Sequence, residues 1–318
     1  MKVFITGGNG QVGSTVAEML LARGNRVLSI DNFATGRRDN LAPRTGLTQV
    51  EGTIVDGALV DQLFAEFKPD VVVHTAASYK DPEDWGTDAL VNAGGTANIA
   101  RACKTHKVGR LIYFQTALCY GTKPEQQPIR LDHSINPVNS SYAISKTAGE
   151  HYVQFSGVDW VTFRLANVIG ERNVSGPLPI FYARLSKGQK CFVTTARRDF
   201  CYAGDLAKIV LRAADGQGNG TYHFSSGKDV AIRELYDAVV SAMQLNHNPE
   251  PEIKPLGPDD APSILLDPSR TFADFGNVEF TPLAEMVRRA VERWNNSGVV
   301  GGYTHLKDAR GDVRTDKQ

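Results

Sequence analysis

The chain has 318 residues, more than the ~150 of a typical single domain, so its length predicts two lobes or one large α/β unit. Lysine and arginine together number 35, as do aspartate and glutamate, which leaves no net field to hold nucleic acid or an anionic membrane; neither is expected as a partner. The four cysteines, Cys103, Cys119, Cys191 and Cys201, lack C-x-x-C spacing and read as reduced, buried thiols, and no metal is expected.

In chain order, KVFITG, RVLSID, LTQVEGTI, DVVVHTA, RLIYFQT and WVTFRLAN are short β-rich runs, apolar on both faces as parallel strands covered by helices require. Between them VDQLFAEF places Val60, Leu63, Phe64 and Phe67 on one helical stripe, and SKTAGEHYVQF has helix-forming character. This β-α alternation predicts an α/β fold built on a doubly wound parallel sheet of Rossmann type over residues 1–168. After Asn167 the texture changes. ERNVSGPLP reads as loop, FYARLSKG and IRELYDAVVSAM as helices, TYHFSS as a returning strand, and LAEMVRRAVERW as the last helix beyond a Pro-rich stretch. A smaller substrate-binding lobe is expected over 169–300, with about 199–227 packing back on the first domain, and a polar tail over 301–318. A glycine motif that begins at Gly7 leaves no room for a signal peptide, and no run approaches the ~18 apolar residues of a spanning helix, so a cytoplasmic protein is expected.

The stretch GGNGQVG supplies Gly7, Gly10 and Gly13 between the first strand and a helix starting near Val12. Without side chains there, a diphosphate can reach the backbone N–H groups at the helix N-terminus. Asp31 ends the second strand 18 residues after Gly13, close to the ~20 expected for the acid that binds a dinucleotide's ribose. A carboxylate there accepts from both ribose hydroxyls and repels a 2′-phosphate, which favours NAD over NADP. Arg37 and Arg38 argue the other way, although as loop residues they read more simply as surface charge.

Further on, SSYAISKTAGE contains Tyr142 and Lys146 one helical turn apart. A free tyrosine titrates near ~10, and a neighbouring ammonium would lower that value toward useful base chemistry. The hydroxyl of Thr116 stands at the exit of the RLIYFQT strand.

Taken together, GGNGQVG, DN at Asp31 and Asn32, HTAA from His74, VNAGGT around Asn92, TALCYG, YAISK, RLANVIG and RRDFCYAGDLA resemble an extended short-chain dehydrogenase/reductase of the NAD-dependent epimerase/dehydratase type. The likeness spans roughly Met1 to Trp294, and DNFATG, YKDP, FQTALCYG and ISKTAGE are similar to epimerases of bacterial O-antigen gene clusters. The resemblance implies a nucleotide sugar, UDP first, as substrate, and a homodimer formed through a two-helix contact. It makes Tyr142 the catalytic base or acid, Lys146 its pKa tuner and ribose ligand, and Thr116 the hydroxyl that bonds the reacting sugar oxygen. Gly7, Gly10, Gly13, Asp31, Asn32, Ile54, Ala76 and Ala77 would hold NAD with Tyr142 and Lys146, while Asn167 and Arg198 would contact the sugar diphosphate. Read alone, Asn167 would cap a loop and Arg198 would be surface charge. Gln115 is placed near the sugar, and Ser175 to Pro179 help shape the pocket.

This sequence departs from the family pattern twice. The third strand ends in Thr53 before Ile54 where an acid usually meets the adenine, with Asp56 close by. Gly257 stands where an arginine often anchors the diphosphate, so Arg172, Arg184 or Arg197 would have to compensate, or the nucleotide binds less tightly. Ala117 and Leu118 follow Thr116 where related dehydratases carry Asp-Glu. Cys119 lies three residues after the hydroxyl and reads as packing. The expected reaction is therefore epimerisation at carbon 4 of a UDP-hexose, UDP-N-acetylhexosamine or UDP-uronic acid through a transient 4-keto sugar. A net oxidoreductase, a dehydratase taking its base from Tyr79, Lys80 or His133, and a non-catalytic NAD-binding regulator are the alternatives.

Overall fold

The structure is a computed structural model that describes residues 1–297 apart from Lys80, Asn139, 246–248, 258–260 and Asn277. The predicted tail over 301–318 lies outside the described residues, as does Lys80. Strand β1 (Lys2–Thr6) leads into α1 (Gln11–Ala22), followed by β2 (Arg26–Asp31), β3 (Leu47–Glu51), α2 (Gly57–Phe67) and β4 (Val71–His74). The short α3 (Trp85–Asp88) runs through a π-helical stretch, Ala89–Gly95, into α4 (Thr96–Thr105). Next come β5 (Arg110–Thr116), a 3-10 turn over Ala117–Tyr120, α5 (Ser141–Phe155), β6 (Trp160–Leu165) and β7 (Asn167–Ile169). The remainder comprises α6 (Pro177–Ser186), β8 (Phe192–Val193), β9 (Arg197–Arg198), β10 (Phe200–Tyr202), α7 (Ala203–Ala214), β11 (Gly220–Phe224), β12 (Val230–Ala231), α8 (Ile232–Ala242), β13 (Glu252–Ile253), β14 (Ser263–Ile264), α9 (Ser269–Phe275) and α10 (Leu283–Ser297).

Seven of these strands form one sheet in the order β11-β6-β5-β4-β1-β2-β3, every pairing parallel. That is the Rossmann-type doubly wound arrangement expected from the β-α alternation. The period-2 geometry of strands explains its two cores. Val3, Ile5, Ile112 and Phe163 face one side with Val16 and Leu20 of α1 and Leu206 and Val210 of α7. Phe4, Leu28, Val72 and Leu111 face the other with Phe64 of α2 and Ile99 of α4. The predicted stripe Val60, Leu63, Phe64 and Phe67 is buried along α2 as its spacing requires. A third cluster lies away from the sheet, where Leu178 and Phe181 of α6, Leu235 and Val239 of α8, and Val287 and Trp294 of α10 pack together. Among the described residues no helix is long and apolar enough to cross a membrane.

All the parallel strands end at one edge of the sheet, and two glycines set how close the backbones come there. Gly7 has φ +63°, and a Cβ on it would stand 2.8 Å from the Ala76 Cα at the exit of β4. A Cβ on Gly13 would lie 2.3 Å from the Gly7 carbonyl oxygen, so only glycine lets α1 lean this close to β1. Gly13→Ala should therefore lower stability by about 1–3 kcal/mol, as overpacked sites do, measured by urea denaturation; an unchanged midpoint would show that α1 can move away without cost.

Candidate active site

The carboxyl edge of the sheet gathers the exits of β1, β2, β4, β5 and β6, the usual place for a ligand in an open α/β sheet. Helix α1 begins there at Gly10 with no capping side chain and no acid in its first turn, which leaves its leading N–H groups suited to an anion. Asp31, buried at the end of β2, accepts the Asn9 N–H with Oδ2 and the Phe33 N–H with Oδ1, both at 2.8 Å. Burial raises its pKa against the pull of those bonds. Asn32 beside it is exposed, and its Oδ1 accepts from the Ala34 N–H at 3.1 Å. Arg37 is tied to Asp39 at 2.6 Å and Arg38 to Glu51 at 2.6 Å, so both arginines are already engaged with surface acids.

Ala76 and Ala77 follow β4, and the Ala76 N–H donates to Thr6 Oγ1 at 3.1 Å. The Ile54 side chain is buried against the end of the π-helical stretch, where a Cβ on Gly95 would come within 2.6 Å of it. Only its backbone could therefore serve a cofactor. Asp56, the nearby acid, instead caps α2, its Oδ1 accepting from the Ala58 and Leu59 N–H groups at 3.1 and 3.0 Å.

Thr116 closes β5, its Oγ1 accepting the Leu118 N–H at 3.1 Å and so keeping its proton for another acceptor. Helix α5 packs on β5 and on the turn that follows, and carries both Tyr142 and Lys146. The charge relation between that pair differs from the sequence expectation. Burial raises the Tyr142 phenol above its ordinary value, and Tyr79 and Asp88 raise it further. Lys146 is itself buried, with Nζ 4.1 Å from the centre of the Tyr113 ring, and its pKa falls to about 7. The helix spacing brought the two together, but desolvation of both groups outweighs the attraction between charges.

Several functional contacts have no counterpart in the sequence reading. His74, fully buried, links Thr6 Oγ1 at 2.6 Å to Thr96 Oγ1 at 2.9 Å. Since Thr96 donates to the Asn92 carbonyl and Thr6 takes the Ala76 N–H, the network assigns the proton to Nε2 of a neutral ring, in accord with a pKa lowered by burial to about 3. Asn92, on the π-helical stretch, accepts the Ser78 N–H at 2.8 Å and donates to the Ser78 carbonyl at 2.9 Å and to Ser145 Oγ at 3.0 Å. It fastens the loop after β4 to α5 one residue before Lys146. Its motif was visible in the sequence, but this clamp depends on tertiary placement.

Gln115 turns away from the sugar side. It is buried, with its amide directed at Thr147 and Glu150, because residues alternate along β5 and Thr116 takes the outward place. Asn167 is exposed just past β6, and both its backbone N–H and its Nδ2 donate to the Asp199 carbonyl at 3.0 and 3.3 Å. That contact sets it beside Arg198, whose guanidinium donates to the Ala261 carbonyl at 2.7 Å. The three arginines named as substitutes for the anchor missing at Gly257 are engaged elsewhere. Arg172 pairs with Glu18 at 2.5 Å, Arg197 with Asp229 at 2.9 Å, and Arg184 donates to the Lys190 carbonyl at 2.7 Å. His133 has both ring nitrogens bonded, to the Ser134 carbonyl at 2.8 Å and the Glu125 N–H at 3.2 Å, which leaves it poorly placed as a base. Cys119 is a buried core thiol whose pKa is pushed up to about 12. All four cysteines are unpaired and buried.

Residues 3–224 match the family described as the NAD dependent epimerase/dehydratase family. The chain belongs to that family. It is 31% identical over 315 residues to the UDP-glucose 4-epimerase of Mycolicibacterium smegmatis, the alignment spanning 93% of this chain and 99% of that protein. The crystal structure of the Bordetella bronchiseptica enzyme WbmH in complex with NAD+ is 65% identical and superposes with a TM-score of 0.92 over 94% of this chain and 99% of its own. That of WbmG from the same organism, in complex with NAD and UDP, is 41% identical with a TM-score of 0.88 over 96% and 98%.

For this epimerase/dehydratase family member the pKa of Lys146 has a consequence for stability. Between about 7 and the ordinary 10.5 the folded chain binds fewer protons at Lys146 than the unfolded chain does, so this residue's penalty on folding is full below pH 7 and is relieved as pH rises toward 10.5. The groups around it are His74, Tyr113 and Glu150. Lys146→Met should raise the thermal midpoint by several degrees at about pH 6 and by much less at about pH 10, followed by calorimetry; equal gains at both would contradict the assignment.

Proposed function

We propose that this chain is an NAD-dependent nucleotide-sugar epimerase that inverts carbon 4 of a UDP-hexose, UDP-N-acetylhexosamine or UDP-uronic acid. The observation that carries this reading is the turn after β5, where Thr116 presents its hydroxyl beside the helix bearing Tyr142 and Lys146, and the next two residues, Ala117 and Leu118, have no group able to move a proton. The names of the relatives support the substrate class, and the likeness to O-antigen cluster epimerases supports a place in cytoplasmic synthesis of a polysaccharide precursor.

The residues present fit a dinucleotide. The uncapped start of α1, the side-chain-free Gly7, Gly10 and Gly13, and the buried acid Asp31 at the end of β2 are the features that hold its diphosphate and a ribose. Asn32, Ala76, Ala77 and the backbone of Ile54 would border the rest, and the engaged Arg37 and Arg38 favour NAD over its 2′-phosphate. When bound, NAD supplies a reversible hydride acceptor for carbon 4 and a positively charged ring that favours the Tyr142 phenolate.

Tyr142 then takes the proton of the sugar's 4-hydroxyl and returns it once the keto sugar has presented its other face. The Thr116 hydroxyl, its oxygen fixed by the Leu118 N–H, donates to the sugar oxygen. Lys146 orients the ribose, and Asn167 with Arg198 forms the diphosphate contact. With no acid or base at positions 117 and 118, the ketone is shielded from loss of water. We assign cofactor binding to residues 1–168 with about 199–227, and substrate binding to 169–300.

We further propose a homodimer. Trp85, Leu90, Ile144, Tyr152 and Phe155 are exposed apolar side chains on helical segments that pack together, Phe155 being 83% exposed. Ile144→Glu with Phe155→Glu should convert a dimer to a monomer by light scattering; a wild-type monomer would remove the proposal.

The reaction is tested by incubating the protein with UDP-glucose, UDP-N-acetylglucosamine and UDP-glucuronate in deuterated water without added cofactor and following each by proton NMR. Inversion at carbon 4 without deuterium uptake is expected, and Tyr142→Phe should lower the rate by at least about 100-fold while NAD stays bound. Loss of water would replace the epimerase reading with a dehydratase, and deuterium at carbon 5 would reveal a base that acts on that carbon.

A further inference from the structure

Behind Thr116 runs a chain of buried polar groups that the reaction does not consume. Gln115 folds its side chain back so that Oε1 accepts the Thr116 N–H at 2.8 Å, while Nε2 donates to Glu150 Oε2 at 3.2 Å and to Thr147 Oγ1 at 3.3 Å. Glu150 has no accessible surface, and Arg164 is 5% exposed. The guanidinium of Arg164 reaches both Glu150 oxygens at 3.2 Å, and its other terminal nitrogen donates to the Tyr120 hydroxyl at 2.6 Å. That hydroxyl in turn meets His223 Nε2 at 2.7 Å, and His223 Nδ1 meets the Asp267 carbonyl at 2.9 Å.

Proton placement along this chain follows from the groups at its ends. A carbonyl only accepts, so His223 carries its proton on Nδ1 and its Nε2 accepts from Tyr120; the Tyr120 oxygen is left to accept from Arg164. A carboxylate also only accepts, so the Gln115 amide must turn its NH₂ toward Glu150 and its oxygen toward the Thr116 N–H. Each rotamer is thus forced by its neighbour.

We infer that the Glu150–Arg164 ion pair positions the Thr116 hydroxyl by gripping the turn that bears it at both ends, through Gln115 before it and Tyr120 after it. Gln115, Tyr120, Glu150 and Arg164 are positioning residues, and the inference rests on the role given to Thr116 above. Glu150 also lies one turn beyond Lys146 and two beyond Tyr142 on α5. The pair therefore fixes the strand-borne hydroxyl relative to the helix-borne phenol, the spacing on which a shared substrate oxygen depends. A buried ion pair is a weak source of stability when a well-packed apolar pair could replace it, which makes a positioning role its more economical explanation.

Gln115→Met and Tyr120→Phe keep volume while releasing one end of the turn each, and each is made with Thr116 present and in a Thr116→Val background. Two readouts separate this inference from the functional reading. Amide exchange at Thr116, followed by NMR, needs no substrate and should accelerate about tenfold or more in Gln115→Met, since its buried acceptor is lost. Turnover of whichever of the three UDP-sugars is epimerised should fall about tenfold or more in each single variant with KM little changed. In the Thr116→Val background the same changes should cost less than about twofold, because residues that act through one group are non-additive. Unchanged exchange in Gln115→Met overturns the inference whatever the enzyme turns over. Equal losses in the two backgrounds overturn it as well, by reducing these residues to general scaffolding.

Discussion

The site depends on a backbone contact that only glycine permits. At the exit of β1 the chain turns through Gly7 at positive φ and passes against Ala76 at the exit of β4, while Gly13 brings α1 down upon the Gly7 carbonyl. A Cβ at Gly13 would push the first helix away from the sheet, and one at Gly7 would strike the backbone at Ala76. Everything that follows along the carboxyl edge inherits this spacing. The uncapped end of α1 lies near Asp31, whose carboxylate reaches the Asn9 N–H across the turn. The loop after β4 is drawn under by Thr6 and then pinned to α5 by Asn92.

The interior around this edge is expensive to charge, and the chain handles that cost in three ways. His74 is kept neutral between two threonines. Lys146 is held against an aromatic face at a pKa near 7, so its proton is easily given up, and Tyr142 keeps its own because its phenolate would be desolvated. Glu150 and Arg164 are a buried ion pair, in which each satisfies the other with several hydrogen bonds and passes the remainder to Gln115 and Tyr120.

Much of this was legible in the sequence. The strands are apolar runs closed by turn residues, and the α2 stripe follows the helical period, so both can be read without tertiary knowledge. The glycine spacing and the acid after the second strand also encode a local geometry. The charge states of Tyr142 and Lys146 are different in kind, since i, i+4 spacing reports proximity while burial decides protonation. Gln115 follows the alternation of β5, which sends it inward while its neighbour Thr116 faces the open edge. Arg172 could have been a phosphate ligand on sequence alone; its engagement with Glu18 and Ser14 spans more than 150 residues and follows from no local pattern. Asp56 is the opposite case, an acid whose helix-capping task is written plainly in the residues that follow it.

The order of the strands carries one more consequence. The chain lays down six strands of the sheet by Leu165, leaves to build β7, α6 and the short strands, and supplies the seventh, β11, only at Gly220–Phe224. Until then β6 is an edge strand, with Val161, Phe163 and Leu165 on one face and a row of unpaired N–H and C=O groups. During synthesis the protein therefore passes through a stage in which a nearly finished sheet offers a template to other chains. Closing it requires a contact about 60 residues distant, the kind of non-local pairing that forms late. A fragment cut after β6 would hold every residue named for the dinucleotide and still expose a sticky margin. In this molecule the element that protects the sheet from self-association arrives from beyond the residues that line its active edge.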